Sequence, residues 1–255
     1  MNRTRALLAA IVCAAALAAP RPGSAEELDK GSFKLYRRDH ALGAETFEYA
    51  QSRDSLIVRA RQYLTIATKH GDEPFEKGVD LFVSRHDYAL RVYQSKRTFQ
   101  GQSLTRALVV ADTHYVAYRE TGEGGDGDSR VLPPGRLFVM DAQMITLFDL
   151  ICRSLQNTTF ESRSLNLLAL GPRDTMLDAR AVVEGSETIR WGGRPVVARK
   201  LRLMADSQTT FTLWVGPQGQ LLRLIEPAGG LRAERDVPPV KRRAAPQPGE
   251  AKPGG

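Results

Sequence analysis

Ser84, His86 and Asp87 put the three residue types of a hydrolase triad within four positions. A triad is a matter of three-dimensional geometry, and no Gly-x-Ser-x-Gly turn is present to carry a nucleophile. The four histidines, His40, His70, His86 and His114, fall at expected turns or strand ends, with no second ligand at a zinc spacing. Asp126-Gly-Asp128 sets two carboxylates where one hard cation could be shared, but the further acidic ligand and the length of an EF-hand loop are missing. An exposed acidic tip is expected there. Glu45, Glu48 and Glu184 sit in alternating segments and read as solvent-facing charges. Cys13 lies in an apolar leader, which leaves Cys152 alone, without an intramolecular disulfide, as a small buried hydrophobe. The expectation is therefore a non-enzymatic protein with no catalytic residue, no metal and no cofactor. A hydrolase acting on envelope polymers through Ser84, His86 and Asp87 is a third class after two binding roles.

The positions of such residues depend on the elements that carry them. Arg3 and Arg5 precede an apolar run from Ala6 to Ala19 that stops at Pro20. That run is too short to span a bilayer, for which about 20 residues are needed, and it reads as a secretory signal peptide. Gly23-Ser-Ala25 supplies small residues for cleavage after Ala25, with Ala16-Leu-Ala18 as the alternative, and Val12 before Cys13 disfavours lipidation. A periplasmic location follows as an expectation. The formal charge is +7, and loss of Arg3, Arg5 and Arg21 with the leader leaves +4, most of it beyond Leu231. The body is nearly neutral, which argues against nucleic acid as a partner. Residues 237–255 are rich in Pro and Gly and form a basic tail, expected to be disordered, whose Lys241-Arg-Arg243 allows at most peripheral contact with a membrane. One domain, residues 26–236, remains.

Within it, strand signals dominate. Successive strands are expected at Ser32 to Arg38, Ala44 to Gln51, Ser55 to Thr68, Gly78 to Arg85, Tyr88 to Lys96, Ser103 to Ala111 and His114 to Glu120, with turns at 41–43, 52–54, 86–87 and 101. Glu120 to Arg130 reads as a glycine-rich acidic loop. Asp141 is placed to cap a helix reaching Leu155, whose Met144, Leu147, Phe148, Ile151 and Leu155 recur at three and four. Its apolar arc is wide, as in a helix pressed into a concavity. Extended segments return at Thr158 to Leu170 and Met176 to Val183. Then Glu187 to Leu203 folds on Gly192-Gly193, and Thr209 to Ile225 folds on Pro217 and Gly219. Trp214, out of phase with Phe211, Leu213 and Val215, is expected on the opposite face. The fold class is mainly β: a curved antiparallel sheet or incomplete β-barrel wrapped on one central apolar helix.

Together the leader, Gly31-Ser-Phe-Lys-Leu-Tyr turning into Gly43-Ala-Glu-Thr-Phe, the apolar helix and the closing hairpins from Trp191 to Gly219 resemble uncharacterised secreted bacterial domains of curved-sheet type. The likeness covers most of residues 31–235. More distantly the order is similar to the periplasmic lipoprotein carriers, whose incomplete barrels wrap helices and shelter acyl chains. That resemblance implies an apolar cavity between sheet and helix for a lipid, glycolipid or lipoprotein acyl chain, with Met144, Leu147, Phe148, Ile151, Leu155, Trp191 and Trp214 as its candidate lining. The alternative is an envelope structural or assembly partner that binds another protein through a sheet edge or the basic tail.

Overall fold

The structure, a computed structural model, describes residues 25–141, 144–156 and 158–237. The expected leader and tail therefore lie outside the described residues, apart from Ala25 and Val237 at their borders.

Backbone pairing assembles one sheet from fifteen strands. The first wing is a meander of β1 (Glu26–Arg37), β2 (His40–Gln51), β3 (Ser55–Thr68), β4 (Gly71–Ser84), β5 (Leu90–Phe99), β6 (Gln102–Ala111), β7 (His114–Thr121) and β8 (Gly124–Val131). The chain then crosses to the far end of the sheet. There β9 (Leu137–Met140) leads through helix α1 (Ile145–Ser154) into a second meander of β10 (Ser162–Ala169), β11 (Thr175–Trp191), β12 (Arg194–Met204), β13 (Thr210–Val215), β14 (Leu221–Glu226) and β15 (Leu231–Arg235). β15 pairs with β1, joining the wings at the middle of the sheet. Only β9 and β10 run parallel. β8 and β9 are the two ends and do not pair, so the sheet curls without closing.

The curl has local causes. Register shifts between Glu27 and Asp29, Leu35 and Tyr36, Phe82 and Val83, Val183 and Gly185, and Trp214 and Val215 each add bend and twist to the ladder. Alternation decides which face is inside. On β3, Leu56, Val58, Ala60 and Leu64 are buried, while Arg59, Arg61 and Tyr63 between them are exposed. The inward sets of both wings and the apolar face of α1 form one core cluster. α1 lies against β2, β9 and β14 inside the concavity.

The mainly β class is as expected, and β3 has the expected bounds. Gly192 and Gly193 take φ 62° and 75°, the pair of left-handed positions that a two-residue hairpin between β11 and β12 requires. Three expectations are corrected. The first turn lies at Arg38-Asp39, where Arg38 takes φ 55°, and residues 41–43 are an irregular part of β2. Gly43 is needed there for closeness, because a Cβ would run into the Tyr63 carbonyl oxygen. The acidic loop is instead strand β8, held by its ladder to β7 while every residue in it is exposed. Finally, β11 runs unbroken from Thr175 to Trp191, where two separate extended pieces were expected.

Candidate functional site

The concave face is occupied by α1, and its docking is polar as well as apolar. The residue at the N-cap, Met144, has no side chain that can accept the first helical N–H groups. Glu45, from the inner face of β2, does so: the N–H groups of Ile145 and Thr146 reach its carboxylate at 2.8 and 2.7 Å, and the Thr146 hydroxyl adds a third bond. Its cross-strand neighbour Gln62 donates a fourth at 3.0 Å. Glu45 is fully buried, and burial pushes its carboxyl up to about 7 against those hydrogen bonds, which favour the charged form. Reading Glu45 as solvent-facing is thus overturned: it shares the inward parity of Phe47 and Tyr49.

The expected cap, Asp141, lies before the helix and does something else. It forms a close ion pair with Lys77 of β4 and accepts a hydrogen bond from the Tyr93 hydroxyl at 3.2 Å.

Further along α1 a ring of four charges fixes the helix to the join between the wings. Asp149 is fully buried, accepting from Arg153 at 2.7 Å and from the Leu221 N–H of β14 at 2.6 Å. Arg235 of β15 pairs with Asp149 at 3.5 Å and with Asp29 of β1 at 2.7 Å, and Arg153 closes the ring on Asp29. The guanidinium groups are also stacked, Arg153 at 4.4 Å from the Tyr49 ring and Arg235 at 4.5 Å from the Phe47 ring.

Of the seven residues expected to line an apolar cavity, the structure brings five together. Met144, Leu147, Phe148, Ile151 and Leu155 all lie in the main core, none more than 2% exposed. They pack into the concavity, and Leu155 also borders a hollow of about 270 Å³ with Phe138 and Leu165. Trp191 and Trp214 are elsewhere, with Ile189, Ala198 and Leu222 in a small cluster on the outer face of the second wing. Their indole N–H groups bond the Arg235 carbonyl at 2.9 Å and Glu187 at 3.1 Å. The physical reason is strand parity, since residues two apart share a face and Trp214 is one step from Leu213.

The remaining chemical candidates are accounted for locally. Ser84 hydrogen-bonds to Asp87, which lowers the carboxyl pKa, and Asp87 also accepts the Ala89 N–H at 3.2 Å, all within one tight turn. Asp128 is paired with Arg130 at 2.8 Å. No group of three His, Cys, Asp or Glu with metal-holding geometry occurs among the described residues. Cys152 is buried and its thiol is pushed well up by desolvation.

No known family profile matches the chain, and no curated protein does. Among solved structures it is similar to a β-barrel-like protein of domain of unknown function DUF1849 from Brucella abortus, with 8% identity, a TM-score of 0.54, and 81% of this chain and 94% of that one covered. A DUF1089 family protein from Pseudomonas aeruginosa aligns over 72% of this chain and 90% of its own, at 12% identity and a TM-score of 0.37. The fold is β-barrel-like, as in the first of these structures.

Proposed function

We propose that the chain is a non-enzymatic, exported binding protein of the cell envelope, in which α1 occupies the cup that a lipid, glycolipid or lipoprotein acyl chain takes when bound. The observation that carries this reading is the manner of docking. A sheet that stops short of closure holds its own apolar helix in the concavity, and fixes it there with buried charges. Buried ion pairs add little stability compared with apolar packing of the same volume, because desolvation offsets their attraction, but they specify position. When α1 leaves, Glu45, Asp149, Arg153 and Arg235 regain water, which offsets part of the cost of uncovering the cup. The N-terminal run from Arg3 to Ala25 supports export. The self-contained Ser84–Asp87 turn supports the absence of hydrolysis.

Native mass spectrometry of the full chain purified from its own host, before and after organic extraction, tests the reading. A co-purifying amphiphile and displacement of a fluorescent fatty acid from the extracted protein are expected. Absence of both overturns it. A second reading, a protein partner added at a sheet edge, is favoured by β8, an eight-residue end strand that is exposed throughout and paired on one side only.

A further inference from the structure

The inner face of the first wing carries four cations where the parity of its strands calls for core residues. Lys77 alternates with buried Phe75 and Val79 on β4, Arg97 has the parity of buried Tyr93 and Ser95 on β5, Arg106 falls between buried Leu104 and Leu108 on β6, and Arg119 follows buried Tyr115 on β7 at the same parity. The ladder makes them direct neighbours: Lys77 stands opposite Arg97, and Arg106 opposite Arg119. Like charges facing each other across a ladder are destabilising, so two such pairs side by side serve no purpose of the sheet itself.

All four border one hollow of about 300 Å³, floored by Gly171 and Pro172 from the turn after β10. Compensation is partial. Asp141 pairs with Lys77 and Asp174 with Arg106, but Arg119 bonds only the Pro172 carbonyl at 3.1 Å, and Arg97 has no ion-pair partner among the described residues. Both of the under-compensated guanidinium groups belong to exposed residues, open to a ligand. Burial lowers the Lys77 pKa, and while Asp141 pulls it back up, Arg97 and Arg106 push it further down.

We propose that Lys77, Arg97, Arg106 and Arg119 form a binding site for a phosphate-type oxyanion, carried as free phosphate, a phosphate ester or a lipid headgroup. Three forked guanidinium groups on the successive strands β5, β6 and β7, with the Lys77 ammonium on β4 beside them, suit an anion with several oxygens in different directions, and the hollow is of the size of a small ligand site. The site lies between β4–β7, the turn after β10 and Asp141, which precedes α1.

Isothermal titration of the full chain with inorganic phosphate, and separately with a water-soluble short-chain phosphatidic acid, tests the assignment. The double variant Arg97→Gln/Arg119→Gln is compared with Lys69→Gln/Arg85→Gln, which removes the same charge from two exposed turns. Binding that falls at least tenfold in the first variant and is unchanged in the second is expected. Binding of phosphate itself identifies free or esterified phosphate as sufficient, and binding of the phosphatidic acid alone identifies the headgroup with its chains. Absence of binding by either ligand, or an equal loss in both variants, overturns the site. Thermal melting without ligand guards against misfolding, since removing one cation from each like-charge pair leaves the melting temperature unchanged or higher.

Discussion

Glu45 shows how one carboxyl ties a helix to a sheet at a cost that depends on pH. Its pKa is 4.5 in a free chain and about 7 in the fold, so between these values the folded protein holds the proton and the unfolded chain has lost it. Stability from this group is therefore highest below pH 4.5 and declines as pH rises to about 7, by roughly 3 kcal/mol at about 1.4 kcal/mol per unit. Glu45→Gln keeps an acceptor for the Ile145 and Thr146 N–H groups and removes the titration. Denaturant unfolding at pH 5, 6 and 8 is expected to show that decline in the parent and its loss in the variant. The parity that places Glu45 inward is legible in Glu45-Thr-Phe-Glu-Tyr49, since residues two apart share a face. What hid it is residue type: a carboxylate in a strand is usually wet, and the N–H groups that justify burying it come from a helix a hundred residues later. The inward cations of β4 to β7 were hidden in the same way.

At the scale of elements, legibility followed whether an element is held by its side chains or by its backbone. β3 and α1 bury regular apolar sets, at periods of two and of three to four, and both were readable in the sequence. β8 buries nothing and exists through its ladder to β7, so its Gly124-Gly-Asp-Gly-Asp128 reads as a loop. Asp141 has a helix-capping residue type at a helix-capping position, yet Lys77 and Tyr93 claim its carboxylate. The irregular start of β2 provides a measurement on this scale. Gly43 and Gly71 both have left-handed φ, 145° and 112°, but a Cβ on Gly71 meets nothing within 4 Å, whereas one on Gly43 meets the Tyr63 backbone. Gly71→Ala therefore carries backbone strain alone, on the order of 1 kcal/mol, while Gly43→Ala adds a main-chain collision and is expected to cost about 3 kcal/mol in denaturant unfolding. Equal losses would mean that the bulge opens freely.

The whole molecule depends on a pairing between its most distant parts. Every other pairing in the sheet joins strands that are consecutive along the chain, but Phe33 to Arg37 of β1 lies against Leu231 to Arg235 of β15. That junction also holds the charge ring, through Asp29 and Arg235, so sheet continuity and helix docking share the same residues. A chain ended at Glu226 keeps fourteen of the strands and is expected to lose cooperative thermal unfolding and to bind a hydrophobic dye, because α1 loses Arg235 and β1 loses a neighbour. Retention of a single sharp transition would show that each wing is stable alone.

The seam at β1 also sets a timetable. Translation delivers β1 well before its second neighbour, with every other strand of the sheet made between them, so for that interval this ribbon has an unsatisfied margin of N–H and C=O groups and, in Asp29, one member of the charge ring. Hairpins downstream can zip as they emerge, one against the next, but the curl is completed only when Leu231 to Arg235 arrives. The nascent protein is therefore most open to wrong partners at the strand made first, and a holding chaperone has the greatest effect there.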